Sequence, residues 1–367
     1  MITELETVGF KRFIAQRLSL APLTILAGLN GSGKTSMVQA LLLTAEAGRS
    51  RVESIRLNGP FGLELGTADD VLNWESSFPF RVTVRSGDSV PTTWEFFANK
   101  PDQLHLDFTL TGNKPTYLNH SPRSFTYLSA ERLGPRGSAS SSSLPDDDLE
   151  IGVRGEYSAQ VLSVLGDALI KHPDRQHPLS PEKTPRLLKY EIEQWLSEIL
   201  RPIEISAERL GTSPLFELRF RCSDSDWVAA PNMGFGASYV LPIVLAGLTA
   251  DVGGLLIVEN PEAHLHPAGQ SRIGVFLAWL ASKGVQVLIE THSDHVLNGI
   301  RRAIGEFRYL LAEDAIVHYF PTEKIHEKSV ETLKFMDAGG VSHWPPGFFD
   351  QYQIDVGSLG RVRRKRT

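Results

Sequence analysis

The first ten residues alternate apolar and polar side chains, the period-two pattern of a strand with one buried face, and Gly9-Phe10-Lys11-Arg12-Phe13 breaks it with a turn. Thr24-Ile25-Leu26-Ala27 predicts a short apolar strand running into a glycine-rich stretch. Met37, Val38, Leu41 and Leu42 then recur at helical spacing, predicting a helix that starts at Lys34 and stops near Gly48. From about 51 to 125 the period-two runs return in Phe80-Arg81-Val82-Thr83-Val84, Trp94-Glu95-Phe96-Phe97 and Leu104-His105-Leu106-Asp107-Phe108, which predict antiparallel strands. Further on, Leu188, Ile192, Trp195, Leu196 and Ile199 share one face of a helix whose start is marked by Thr184-Pro185, and Trp195 reads as core. Leu215-Phe216-Glu217-Leu218-Arg219-Phe220 alternates as a strand, and an apolar helical run follows Gly234-Phe235-Gly236-Ala237-Ser238 as far as Leu248. Gly254-Leu255-Leu256-Ile257-Val258 and Val285-Gln286-Val287-Leu288-Ile289 are apolar runs of the kind buried on both faces of a sheet, with a helical pattern from about Gln270 to Ser282 between them. This alternation implies parallel strands joined by helical crossovers, an α/β fold.

Composition changes the picture only in detail. Hydrophobic residues at 41% and charged residues at 22% are globular values. With 37 Lys and Arg against 43 Asp and Glu, the net charge of −6 excludes a global electrostatic footprint for nucleic acid. Local contact stays open through the basic tail Arg361, Arg363, Arg364, Lys365 and Arg366. The single Cys222 excludes an internal disulfide and a cysteine-based zinc site. Residues 1–6 carry no signal pattern and no apolar run is long enough to span a membrane, so a soluble cytoplasmic protein without a membrane partner is expected. The expected organisation is a core from 1–50 and 231–320, a β-rich insertion over 51–137, a flexible serine- and aspartate-rich loop at 138–150, a mixed α/β lobe over 151–230, and a C-terminal extension over 321–367.

Gly28-Leu29-Asn30-Gly31-Ser32-Gly33-Lys34-Thr35 fits G-x-x-x-x-G-K-[ST], the loop whose backbone amides wrap nucleotide phosphates, and makes the fold a P-loop NTPase. The candidate nucleotide-binding residues are therefore Asn30, Gly31, Ser32, Gly33, Lys34, Thr35 and Ser36, with Lys34 reaching the β- and γ-phosphates and Thr35 binding Mg²⁺. ATP and Mg²⁺ are the expected cofactors. A P-loop also needs a carboxylate at the end of a neighbouring strand to position the metal, and Glu259 supplies one after Ile257-Val258, so Thr35 and Glu259 are the expected metal ligands. The long separation of Lys34 from Glu259 requires a large insertion between them.

In Glu259-Asn260-Pro261-Glu262-Ala263-His264-Leu265-His266-Pro267, followed by Glu290-Thr291-His292-Ser293, the chain resembles the Walker B, D-loop and switch-histidine region of ABC-type ATPases, in the branch of the SMC-like, RecF-type and OLD-type enzymes. Phe10-Lys11-Arg12-Phe13 is similar to that family's N-terminal strand exit, and Tyr127-Leu128-Ser129-Ala130-Glu131-Arg132 to its Q-loop neighbourhood. His343-Trp344-Pro345-Pro346-Gly347-Phe348-Phe349-Asp350-Gln351 resembles the tail of a widespread group of bacterial AAA-family ATPases, many encoded in defence-type gene clusters.

The resemblance implies an ATPase head that dimerises, or forms a higher homo-oligomer, around nucleotide. Gly234, Gly236 and Ser238 would then be the signature segment that completes a second copy's site, and His292 the residue at the γ-phosphate. Asn260 stands where most relatives carry the glutamate that activates water, a role an amide cannot fill, so Asn260 would orient water and Glu262 is the nearest carboxylate to act as base. Other readings accompany these: His292 and Ser293 capping the next helix, His264-x-His266 with His292-x-x-His295 as metal ligands, and Arg132 and Arg136 sensing phosphate or bracing their loop. The expected function is a nucleotide-driven ATPase in a bacterial anti-phage defence module, switching a separately encoded effector. A RecF-like repair ATPase acting on DNA is the alternative. An OLD-type nuclease is further off, since the residues after His292 show no convincing cluster of acidic metal ligands.

Overall fold

A computed structural model describes residues 1–87, 89–118, 121–181, 186–223, 225–321 and 330–364, the side chains of 353 and 360–364 excepted. In chain order, β1 (Glu4–Phe10), β2 (Phe13–Ser19) and β3 (Leu23–Gly28) lead into α1 (Lys34–Arg49). Next come β4 (Ser54–Arg56), the single-turn α2 (Ala68–Val71), β5 (Phe80–Arg85), β6 (Thr92–Phe97), β7 (His105–Thr111), β8 (Phe125–Leu128) and β9 (Ala139–Ser140). The middle of the chain forms α3 (Ser158–Leu165), α4 (Leu188–Ile199), β10 (Ile203–Arg209), β11 (Leu215–Cys222) and β12 (Val228–Ala229). The last part forms α5 (Phe235–Thr249), β13 (Leu255–Glu259), α6 (Pro267–Ser282), β14 (Gln286–Thr291), α7 (Asp294–Gly305), β15 (Ala315–Phe320), β16 (Glu331–Lys334) and α8 (Gln351–Arg364).

The central sheet has the order β16-β15-β3-β14-β13-β8, parallel except for β16. Its apolar strands are buried on both sides because their alternate residues serve two separate cores. Leu23, Ile25, Leu256, Val258, Val287 and Ile289 face the core built with α3 to α7, whereas Leu26, Leu255, Ile257 and Leu288 face the core built with α1 and the antiparallel strands. The α4 stripe of Leu188, Ile192, Trp195, Leu196 and Ile199 is buried as expected, and Trp195 packs on Phe276 and Trp279 of α6. Thr184-Pro185, expected to start that helix, lies outside the described residues, as do the side chains of the basic tail. No described helix is long and apolar enough to cross a membrane.

The pairing of strands departs from what local patterns predict. β1 and β2 do not extend the parallel sheet but join the inserted strands in a second sheet of order β2-β1-β5-β6-β7-β4, all antiparallel. β8, which sequence placed with the insertion, pairs parallel with β13 and forms an edge of the central sheet. The first part of the expected loop at 138–150 is a short strand, β9, paired with β11. α1 ends at Arg49, one residue beyond Gly48 and where the glycine suggested a stop; Gly48 is also buried, and a Cβ there would approach Leu118 to 2.8 Å, so its glycine is a packing requirement as well.

His318 fastens β15 to its surroundings while 1% exposed. Its Nε2 lies 2.6 Å from the Ser19 carbonyl and its Nδ1 3.1 Å from the Thr332 hydroxyl, so Nε2–H donates and Nδ1 accepts in the neutral ring. Burial holds its pKa below the ordinary histidine value. The unfolded chain therefore binds this proton more readily, and stability falls as pH drops through about 6.5, by up to about 1.4 kcal/mol per pH unit from this group. Urea unfolding between pH 7.5 and pH 5.5 should show a shallower loss for His318→Gln than for the wild type; equal slopes would remove His318 from the account.

Candidate functional site

The site is assembled at the C-terminal ends of β3, β14 and β13, the usual location of ligands in open parallel sheets. At the end of β3 the chain turns through Gly28 (φ 141°) and Gly33 (φ 102°) into α1. A Cβ at Gly28 would lie 2.4 Å from the Phe320 carbonyl oxygen, and one at Gly33 2.5 Å from Arg12 Cδ, so glycine is required at both on steric and conformational grounds. Arg12 Nη1 donates to the Gly31 carbonyl at 2.8 Å and ties the loop to the β1–β2 turn. The buried Ser32 hydroxyl has no hydrogen-bond partner within the described residues. Lys34 is buried, and its ammonium donates to the carbonyls of Gly28 (3.0 Å) and Leu29 (2.8 Å). Burial lowers its pKa, against the opposing pull of Glu290 and Glu262. Asn30 is exposed and Ser36 half-buried at the rim.

The strand order decides which carboxylate meets the loop. β14 lies between β3 and β13, so Glu290 rather than Glu259 ends the strand next to Lys34. Thr35 donates its hydroxyl to Glu290 Oε1 at 2.9 Å, Lys34 Nζ lies 3.8 Å from the same oxygen, and Glu290 Oε2 is buried without a hydrogen-bond partner among the described residues. Burial, reinforced by the charge of Glu259, pushes the Glu290 pKa up to about 7. Glu259 stands in register with Glu290 on the next strand; its Oε1 accepts from the Tyr127 hydroxyl at 3.1 Å and its Oε2 from the Ala130 amide at 3.2 Å. Its pKa is also raised by burial. Sequence reasoning gave Glu290 and Tyr127 no role. A signal for Glu290 was present, because Val287-Leu288-Ile289-Glu290 repeats the apolar-then-glutamate pattern of Leu256-Ile257-Val258-Glu259.

The turn after β13 is braced from below. Arg132, 2% exposed, donates from Nη1 to the carbonyls of Ser129 (2.9 Å) and Glu259 (2.7 Å) and from Nη2 to that of Asn260 (2.7 Å), with its guanidinium over the Tyr239 ring. Desolvation lowers its pKa to about 10. Of the two expectations for Arg132, bracing is the one these bonds describe. Asn260 sits at φ 45°, a left-handed conformation that asparagine tolerates better than glutamate, and its amide N–H donates to the Glu290 carbonyl at 2.8 Å. Glu262, expected to be a spare carboxylate, is engaged: Oε2 accepts from the Thr291 hydroxyl and Oε1 from the His292 amide, each at 2.8 Å. The His292 ring bonds the Gly28 carbonyl and lies near Lys34, with a pKa lowered by desolvation and by that lysine. The helix cap belongs to Ser293, whose hydroxyl oxygen accepts from the Val296 amide at 3.2 Å.

The histidines read as alternative metal ligands have other partners. His264 stacks on Phe235 and meets Tyr239 edge-on, while His266 caps α6 by accepting from the Ala268 amide. Among the described residues no group of three His, Cys, Asp or Glu could hold a metal. Gly234, Gly236 and Ser238 open α5 among different neighbours from those of the P-loop: Phe235 stacks on His264, and Gly236 faces Leu200 and Leu265. The Ser238 hydroxyl is buried and, like that of Ser32, has no hydrogen-bond partner within the described residues. The structure thus brings the P-loop, Glu259, Glu262, Glu290 and His292 together, and seats Gly234 to Ser238 in separate surroundings.

Residues 23–298 match the family described as "AAA domain, putative AbiEii toxin, Type IV TA system". The chain belongs to this AAA family. Residues 310–359 of this AAA chain also match a family described as "Protein of unknown function (DUF3696)". A search of curated proteins finds no match. Among solved structures, the Smc head domain with an extended coiled coil bound to the C-terminal domain of ScpA, from Pyrococcus furiosus, is similar at 13% identity and a TM-score of 0.51, with 99% of each chain covered. The SMC head domain from Thermotoga maritima follows at 12% identity and a TM-score of 0.45, with 91% of this chain and 99% of that chain covered. The SmcHead bound to the C-winged helix domain of ScpA stands at 14% identity and 0.49, with 92% and 98% covered. With the family match, the Pyrococcus furiosus likeness shows the α/β P-loop fold of an SMC-type ATPase head for this AAA-family chain.

Arg132→Ala would leave the buried carbonyls of Glu259 and Asn260 without their donors. It should cost about 2–4 kcal/mol in urea unfolding, with Arg132→Lys recovering only part. An unchanged midpoint for Arg132→Ala would show that the turn after β13 holds itself.

Proposed function

We propose that this AAA-family chain binds and hydrolyses ATP with Mg²⁺ at the P-loop, and that two copies close around the nucleotide to switch a partner. The observation that carries the reading is the convergence of a buried P-loop lysine, two strand-end carboxylates and His292 on one loop. The turn formed by Gly28 and Gly33, the unpartnered Ser32 hydroxyl and the acidic oxygens beside Thr35 fit a magnesium nucleotide. Amides of Asn30 to Ser36 donate to the phosphates. Lys34 exchanges the Gly28 and Leu29 carbonyls for β- and γ-phosphate oxygens, a stronger charge-assisted contact than the two it gives up. Thr35 and Glu259 hold Mg²⁺, which when bound supplies positive charge to the phosphate oxygens.

His292, near Lys34, contacts the γ-phosphate, and Asn260 orients the attacking water. Glu262 bridges the Thr291 hydroxyl and the His292 amide, and we assign it to holding the His292 turn in place. With an amide at 260 the turnover is slow and the nucleotide state serves as a switch. Gly234 and Gly236 present the N-terminus of α5 to the γ-phosphate of a second copy's nucleotide, with Ser238 behind them in the first turn, its hydroxyl buried. The family description, with its toxin and toxin–antitoxin terms, supports a role in a bacterial defence module, and a separately encoded effector completes that reading.

Calorimetric titration with a non-hydrolysable ATP analogue and Mg²⁺ tests the reading. Lys34→Ala should weaken binding by about a hundredfold and abolish phosphate release, in line with loss of two charge-assisted contacts. Equal affinity for the wild type and Lys34→Ala would refute it.

A further inference from the structure

We infer that Glu290 is a direct ligand of the divalent cation, forming with Thr35 and Glu259 a seat with two carboxylates. The inference rests on the nucleotide reading above and adds a ligand to it. Two oxygens that neighbour each other around an octahedral Mg²⁺, each about 2.1 Å from the ion, are about 3 Å apart. The Thr35 hydroxyl and Glu290 Oε1 are separated by 2.9 Å, so they are already spaced as adjacent ligands. Glu290 is 6% exposed and its second oxygen has no hydrogen-bond partner among the described residues, an arrangement that costs free energy unless a positive group satisfies it. Glu259 stands in register on the adjacent parallel strand, which directs both carboxylates to the same face of the sheet.

Among the described residues, the cation that pairs with Glu290 is Lys34, at 3.8 Å. When Lys34 turns to the phosphates, the charge opposite Glu290 is drawn away, and a metal ion on Thr35 replaces it. Two carboxylates and a hydroxyl suit a Mg²⁺ or Mn²⁺ that takes its remaining ligands from water and phosphate oxygens.

Mn²⁺ binding read by electron paramagnetic resonance, on the full chain with a non-hydrolysable ATP analogue, tests this. Nucleotide binding in EDTA is measured alongside. Glu290→Gln keeps the side-chain shape and should weaken Mn²⁺ binding by about ten- to a hundredfold, while nucleotide affinity in EDTA does not fall below the wild-type value, since Lys34 loses a competing carboxylate. Glu290→Asp, which keeps the charge but shortens the reach, should fall between, and it decides the question if Glu290→Gln does not fold. Unchanged Mn²⁺ affinity in the variant, with nucleotide still bound in EDTA, overturns the inference and leaves the ATP reading standing. A wild-type chain that binds no nucleotide under either condition overturns both.

Discussion

A buried ammonium must be paired, and in this chain the requirement falls on Lys34. Its charge is met by carbonyls of its own loop and by Glu290, and that arrangement exists only because β14 lies between the P-loop strand and β13. The consequence runs in both directions. Glu290 needs the positive charge of Lys34, since Glu259 stands beside it and burial disfavours two adjacent carboxylates. A ligand that draws Lys34 away therefore changes the charge balance of three side chains together, and the proposed magnesium nucleotide would restore it.

The scaffold holds these charges still. Alternate residues of the central strands serve cores on both faces, so a shift of one residue along β13 or β14 would exchange the residues facing each core and misplace Glu259 or Glu290. Arg132 fixes the carbonyls just after β13, and Glu262 fixes the turn just after β14. Strand ends that would otherwise be free to move are thus clamped by charged side chains from neighbouring segments. Site precision comes from this second set of contacts as much as from the P-loop itself.

What could be read from the sequence was local. The P-loop, the apolar strands β13 and β14 and the α4 stripe announce themselves through motif and period, and each forms where its pattern lies. Strand order is not local, so motif and period alone point to Glu259 as the carboxylate next to the loop and give no sign that Glu290, on a run of the same pattern, lies on the strand between them. The same limit explains β1, whose half-buried alternation fits either sheet. Gly48 marks the end of α1 as its position suggests, but its second role, making room for Leu118, depends on a segment distant in sequence. Arg132 could be named but not placed, because its acceptors are carbonyls after a strand distant in sequence.

The composite site is the claim on which the functional account turns, and mixing two defective chains tests it most directly. Lys34→Ala removes the P-loop half and Gly236→Glu the helix half. Equal amounts mixed should recover roughly a quarter of wild-type ATP turnover, because half of randomly formed two-fold dimers are mixed and each of those carries one intact site. Two inactive preparations that stay inactive when mixed, although mixed dimers form, would contradict a site shared between copies.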